Sequence, residues 1–138
     1  MRDARLQPKG RVLMMPRDTN PAGTIFGGVI LSYIDQAGAE EALCHGAERV
    51  VTVAMKEVVF LEPVFVGDLV SFYTELVRIG RTSVTVRVKV AAARHSDREK
   101  HVQVTEAEIV YVNIDADHHP TPLQRNHGSN KKSGPVLV

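Results

Sequence analysis

Thr24-Ile25-Phe26-Gly27-Gly28-Val29-Ile30-Leu31-Ser32-Tyr33-Ile34-Asp35-Gln36-Ala37-Gly38-Ala39-Glu40-Glu41-Ala42-Leu43-Cys44-His45-Gly46 determines the architecture of this chain. Thr24 predicts an N-cap, after which Ile25, Phe26, Val29, Ile30, Tyr33, Ile34, Ala37 and Leu43 recur at helical spacings up to about His45-Gly46. Leu31, Ala39 and Ala42 fill other faces, so the helix should be surrounded by protein and not lie on a surface.

Strand patterns flank it. Residues 12–15 predict a short strand stopped by Pro16, which cannot donate to a ladder. Runs rich in β-branched residues at 49–61, 69–79, 82–92 and 101–114 predict four long strands. Val84, Val86, Val88 and Val90 alternate with Thr85, Arg87 and Lys89, the period-two pattern of a half-buried strand. Glu62-Pro63 and Val66-Gly67-Asp68 supply turn chemistry where two strands meet, and Gly80-Arg81 joins the next pair.

This order predicts an α+β domain: a long central α-helix wrapped by an antiparallel β-sheet of five to six strands. Strands of about a dozen residues span roughly 40 Å against about 30 Å for a 20-residue helix, so they can curl round it. One sheet covers one side of such a helix and leaves its own edges open. Pairing two chains solves both problems, and at least a homodimer is expected.

With 138 residues and 43% hydrophobic content the chain fits one core, divided into an N-terminal arm at 1–10, a domain at 11–115 and a loosely ordered tail at 116–138. The net charge of +1 comes from 17 basic and 16 acidic residues without a clustered stripe, so no nucleic-acid partner is expected. No run approaches the roughly 20 apolar residues that cross a bilayer. The polar start, MRDARLQPKGR, does not read as a signal peptide, and a cytoplasmic protein without membrane partners is expected. The single Cys44 excludes an internal disulfide and is expected to be a small buried hydrophobe.

Asp35 is the conspicuous chemical group. An unpaired carboxylate in so apolar a helix must find solvent, partners or a proton, whereas Glu40 and Glu41, near the helix end, read as a solvated face. Asp35 lies within about 20° of Gly28 on the helix surface and about 10 Å along the axis. Free N–H groups of a first helical turn, approachable at Gly27 and Gly28, would favour a carbonyl oxygen that is becoming negative. Asn20, extended because it precedes Pro21, could hold a water or polarise the same carbonyl. The same residues also have plain uses: Gly27-Gly28 in a tight strand crossing, Asp35 paired with a buried base, Asn20 in a turn.

Other candidates are weaker. Ser32 lacks the Gly-x-Ser-x-Gly elbow of a nucleophile. His45, His95, His101, His118, His119 and His127 are scattered without metal-ligand spacing, so no metal site is expected. Gly80-Arg81-Thr82-Ser83 together with Arg78 gathers two guanidinium groups and two hydroxyls, a set suited to a phosphorylated carrier.

The combination Pro16-x-Asp18-x-Asn20-x-x-Gly23-x-Ile25-Phe26-Gly27-Gly28, Ile34-Asp35-x-Ala37-Gly38-Ala39, Val50-Val51-Thr52-Val53-Ala54, Phe60-x-x-Pro63-x-x-Val66-Gly67-Asp68 and Gly80-Arg81-Thr82-Ser83 resembles the hotdog-fold acyl-CoA thioesterases, in particular their YciA-like and brain-type acyl-CoA hydrolase group. The resemblance covers about residues 11 to 115. It implies a helix held in a sheet, dimers with a continuous sheet, often trimers of dimers, and sites at the dimer interface. It also implies hydrolysis of an acyl-CoA to fatty acid and CoA without a cofactor, CoA being part of the substrate. Asp35 then becomes the catalytic carboxylate, as general base or as nucleophile through an anhydride. Asn20 becomes the loop asparagine, Gly28 or Gly27 the amide at the thioester carbonyl, and Gly80 to Ser83 the contact to the CoA nucleotide. A non-catalytic acyl-CoA sensor, or a dehydratase pairing a histidine with its acid, are the rival readings on this fold.

Overall fold

The computed structural model describes residues 7–124. Its strands are β1 (Gly10–Leu13), β2 (Val50–Phe60), β3 (Leu69–Ile79), β4 (Ser83–Ala93) and β5 (His101–Asn113), with one long helix, α1 (Gly27–Leu43). The five strands form one sheet in the order β1-β3-β4-β5-β2, antiparallel at every pairing. The consecutive strands β2 and β3 do not meet as a pair. They stand three places apart, and residues 61–68 carry the chain between them.

The valine alternation of β4 explains why the helix sits where it does. Val84, Val86, Val88 and Val90 are all fully buried on one face of this central strand, and Val70, Phe72, Ile109 and Tyr111 extend the same floor through β3 and β5. Onto it α1 lays Ile30, Ile34, Ala37, Gly38 and Ala42, spaced at three to four residues as one helical face requires. The opposite helix side is not covered, and Phe26 and Leu43 are each 48% exposed at its two ends. Among the described residues no helix is long and apolar enough to cross a membrane.

The helix begins two residues later than its sequence predicts, and Thr24 is not its cap. The Asn20 side chain claims Thr24 instead: Nδ2 donates to Thr24 Oγ1 at 2.9 Å, and the Thr24 amide donates to Oδ1 at 3.1 Å. Ile25 then donates its amide to Val64 at 2.8 Å and bridges to Thr19, so it is extended, and Phe26 takes the N-cap position. At the other end Cys44 is exposed, not buried, because it follows the last helical turn.

Three further expectations change. Glu41 is not a solvated acid: it contacts Lys9 at 3.3 Å, His45 at 2.8 Å and Thr74 at 2.8 Å. The first strand occupies 10–13 instead of 12–15, and Lys9 already donates its amide to Phe72, so the end of the expected arm is tied to the sheet. The expected loose tail folds back over 115–124. Thr121, Leu123 and Gln124 donate their amides to Asn113, Arg81 and Gly46, and the Asn113 side chain donates to Thr121 and Pro122. The rest of the expected arm and tail, with His127, lies outside the described residues.

Candidate active site

Asp35 projects from the middle of α1 on the side turned towards β2 and β5, where it is half-buried. Its Oδ1 accepts a hydrogen bond from Thr52 Oγ1 at 2.6 Å. The Tyr111 hydroxyl stands 3.1 Å from the same oxygen and 2.7 Å from the Asp35 backbone carbonyl, its single proton shared between these two acceptors. Among the described residues Oδ2 has no partner. Thr52 and Tyr111 are direct cross-strand neighbours, so one row of the sheet presents both hydroxyls to one helical residue. Burial first, then the negative charge and hydrogen bonding of Asp35, push the Tyr111 phenol far above its ordinary value of 10.0, so it stays a neutral donor.

Gly27 and Gly28 open the helix, and their amides find no acceptor among the described residues, since helical bonding starts with Val29 and Ile30 donating to Phe26. The two glycines differ in their surroundings. A Cβ on Gly27 would come within 3.1 Å of the Phe60 ring, whereas one on Gly28 would meet nothing within 4 Å. Gly28 is thus open to an incoming group, on the face that also carries Asp35. Beside it an apolar cavity of about 400 Å³ lies between the helix start (Ile25, Gly27, Ile30) and residues 60–64.

Asn20 makes no recorded contact with Asp35. Its amide is spent on closing the loop at Thr24, which leaves one Nδ2 hydrogen directed elsewhere. The Gly80 to Ser83 segment closes the β3–β4 hairpin, with the Gly80 amide donating to the Ser83 carbonyl at 2.8 Å. A Cβ on Gly80 would approach Ser83 Oγ to 2.6 Å, so a side chain there would turn the serine hydroxyl to another rotamer. Ser83 pairs with Val112, one residue beyond the row that joins Val84, Tyr111 and Thr52, which sets the hairpin end close beyond the Asp35 partners. Arg78 and Arg81 are both exposed there, and a cavity of about 630 Å³ is walled by Arg81, Gly80, His45 and Leu123.

Sequence reasoning missed Thr52 and Tyr111. Both sit inside β-branched runs where a hydroxyl residue is ordinary, and the only available signals were a tyrosine on the valine-filled face and a glycine, Gly38, in mid-helix. His45 is bonded to Glu41 at 2.8 Å at the end of the helix and has no contact with Asp35. Asp115, Asp117 and His119 cluster on the surface, but the amides of His119 and Asp117 bind the Asp115 carboxylate in a local turn and hold its pKa below the ordinary value.

The chain matches the family described as the thioesterase superfamily over residues 22–99, the span from just before the helix through β4. It is 40% identical over 117 residues to the acyl-CoA thioester hydrolase YciA of Salmonella typhimurium, covering 82% of this chain and 86% of that one. A hexameric hotdog fold thioesterase of Campylobacter jejuni superposes with a TM-score of 0.81 at 47% identity, covering 89% and 93% of the two chains. An acyl-CoA hydrolase from Staphylococcus aureus, solved in complex with butyryl coenzyme A, coenzyme A and coenzyme A disulfide, gives 0.75 at 27% identity over 83% and 69%. A helix laid on a five-stranded antiparallel sheet, matched at these levels over most of its length, makes this chain a hotdog-fold member of the thioesterase superfamily.

Proposed function

We propose that this enzyme hydrolyses acyl-CoA thioesters to a free acid and CoA, with Asp35 as general base. The observation that carries the reading is one carboxylate pinned through a single oxygen on the same helical face as Gly28, whose amide, like that of Gly27, has no acceptor among the described residues. In the proposed reaction Asp35 takes a proton from water as the water oxygen attacks the thioester carbonyl carbon. The carbonyl oxygen, now negative, is met by the Gly28 and Gly27 amides at the positive end of the helix. The C–S bond then breaks, and CoA leaves as a thiolate that takes up a proton. A thiol has a pKa of about 8.5, so its anion leaves readily and the step calls for no metal or cofactor.

The acyl chain is placed in the apolar cavity at Gly27, and the CoA nucleotide against Arg81, Arg78, Thr82 and Ser83. Asn20 is assigned to the carbonyl or water through its remaining Nδ2 hydrogen. CoA esters are intracellular, so a cytoplasmic place follows from the substrate. A homodimer is proposed through β2, an edge strand of 11 residues on which Val53 is 56% and Phe60 51% exposed. Hexamers of related thioesterases support a trimer of such dimers.

The bonding of His45 to Glu41 argues against a dehydratase, which needs its histidine beside the acid. The test is a panel of acyl-CoA esters assayed for free thiol. Asp35→Ala should stay folded and lose at least about a hundredfold in kcat. Normal turnover by that variant would remove Asp35 as the base, and no thiol from any ester with the native protein would favour a binding module.

A further inference from the structure

We propose that Tyr111 is a positioning residue which, seated in a notch left by Gly38, holds the Asp35 carboxylate by Oδ1 and turns Oδ2 to the reacting water. This rests on Asp35 being the base. A carboxylate on a half-buried helical face rotates about two side-chain bonds, and a base whose lone pair wanders loses the alignment that proton transfer needs. Here two hydroxyls converge on one oxygen, Thr52 at 2.6 Å and Tyr111 at 3.1 Å, while Tyr111 also binds the Asp35 carbonyl at 2.7 Å. With its one proton shared between these two acceptors, Tyr111 ties the side chain to its own backbone.

Gly38 makes that seat possible. Glycine is the poorest helix former after proline, and Gly38 has no positive φ to explain it. What explains it is space: a Cβ there would overlap the Tyr111 hydroxyl and lie 3.1 Å from Cε2 and Cζ of the ring. Any side chain at 38 would push the phenol away from Asp35, one turn earlier on the same face. The tyrosine is 1% exposed, so its hydroxyl lies in the core, where Asp35 is its only hydrogen-bonding residue among the described residues. A ring that only filled the core would not need the hydroxyl.

The experiment is steady-state thiol release, with the acyl-CoA ester turned over fastest, by Tyr111→Phe, Gly38→Ala, the pair combined, and Tyr111→Phe in an Asp35→Asn background. Tyr111→Phe should lower kcat roughly tenfold with KM within about twofold, and should have no effect once Asp35 is Asn. Gly38→Ala should lower kcat in the native protein and do less after Tyr111→Phe, because the clash with the hydroxyl is gone. Should Tyr111→Phe fail to fold, the Gly38→Ala rate decides alone. Unchanged kcat in Tyr111→Phe, or the same fold-loss with and without the Asp35 carboxylate, would overturn the proposal. An inactive Asp35→Asn beside a fully active Tyr111→Phe sinks Tyr111 alone. A fully active Asp35→Asn sinks the base reading and the role of Tyr111 with it.

Discussion

Asp68→Ala should unfold the crossing that seats the helix start. Asp68 is 1% exposed, and each carboxylate oxygen is occupied: Oδ2 accepts from the Phe65 amide at 3.0 Å and Arg94 Nη1 at 2.7 Å, Oδ1 from the His95 amide at 3.0 Å. Arg94 in turn donates to the Pro63 carbonyl at 2.9 Å and lies 5.1 Å above the Phe65 ring. The same connection offers the Val64 carbonyl to Ile25, two residues before α1. Truncating one member of a buried ion pair costs about 3–5 kcal/mol, and each orphaned amide about 1–3 kcal/mol more where water cannot reach it. These losses overlap, so about 4 kcal/mol is expected for Asp68→Ala, and roughly half for Asp68→Asn, which keeps one acceptor oxygen. With a urea m-value near 2 kcal/mol/M, Asp68→Ala should lower the denaturation midpoint by about 2 M. Melts at several protein concentrations separate this from subunit dissociation. A midpoint that moves by less than about 0.5 M with m unchanged would refute the reasoning.

Three other outcomes can be checked. Burial pulls the Glu41 carboxyl upward, but hydrogen bonds from His45, Thr74 and Lys9 outweigh it and hold it below its ordinary 4.5. The unfolded chain then binds more protons, so this stability is present above about pH 4.5 and is lost as pH falls through the folded value. The Tm gap between native protein and Glu41→Gln should therefore close on acidification, and a constant gap down to pH 3 contradicts it. Val53→Asp, on the open edge of β2, should shift the protein to a monomer in sedimentation, and an unchanged mass would place the interface elsewhere. Arg81→Ala should raise KM for CoA esters with kcat little changed, and an unaltered KM would remove the hairpin from the site.

The four long strands were legible to within a residue because each depends on a run of β-branched side chains, as in Val84 to Val90, whereas the short first strand was read two residues too late. Periodicity is a local property, and where structure is fixed by distant partners the reading failed. Thr24 has the composition of a cap, yet Asn20, four residues away, offers its amide side chain first. Thr121 to Gln124 have no period and are held by amide bonds to Asn113, Arg81 and Gly46, so nothing in their own sequence marks them as ordered. Cys44 failed for a related reason: its helical phase was right, but the helix had already ended.

The candidate site divides along the same line. Asp35 was visible because burying a charge in an apolar helix is costly, so its mere presence demands an explanation. Thr52 and Tyr111 carry no such demand, since a hydroxyl in a strand is cheap wherever it finds one partner. They acquire meaning only through the register, which aligns Thr52 with Tyr111 and both with one turn of α1. Gly38 is the one local trace of that arrangement. A mid-helix glycine without a positive φ is a cost with no local return, and such a cost points to something large packed against it. A mid-helix glycine and a core tyrosine, taken together, would have led from sequence to the hydroxyl beside Asp35, where neither residue alone does.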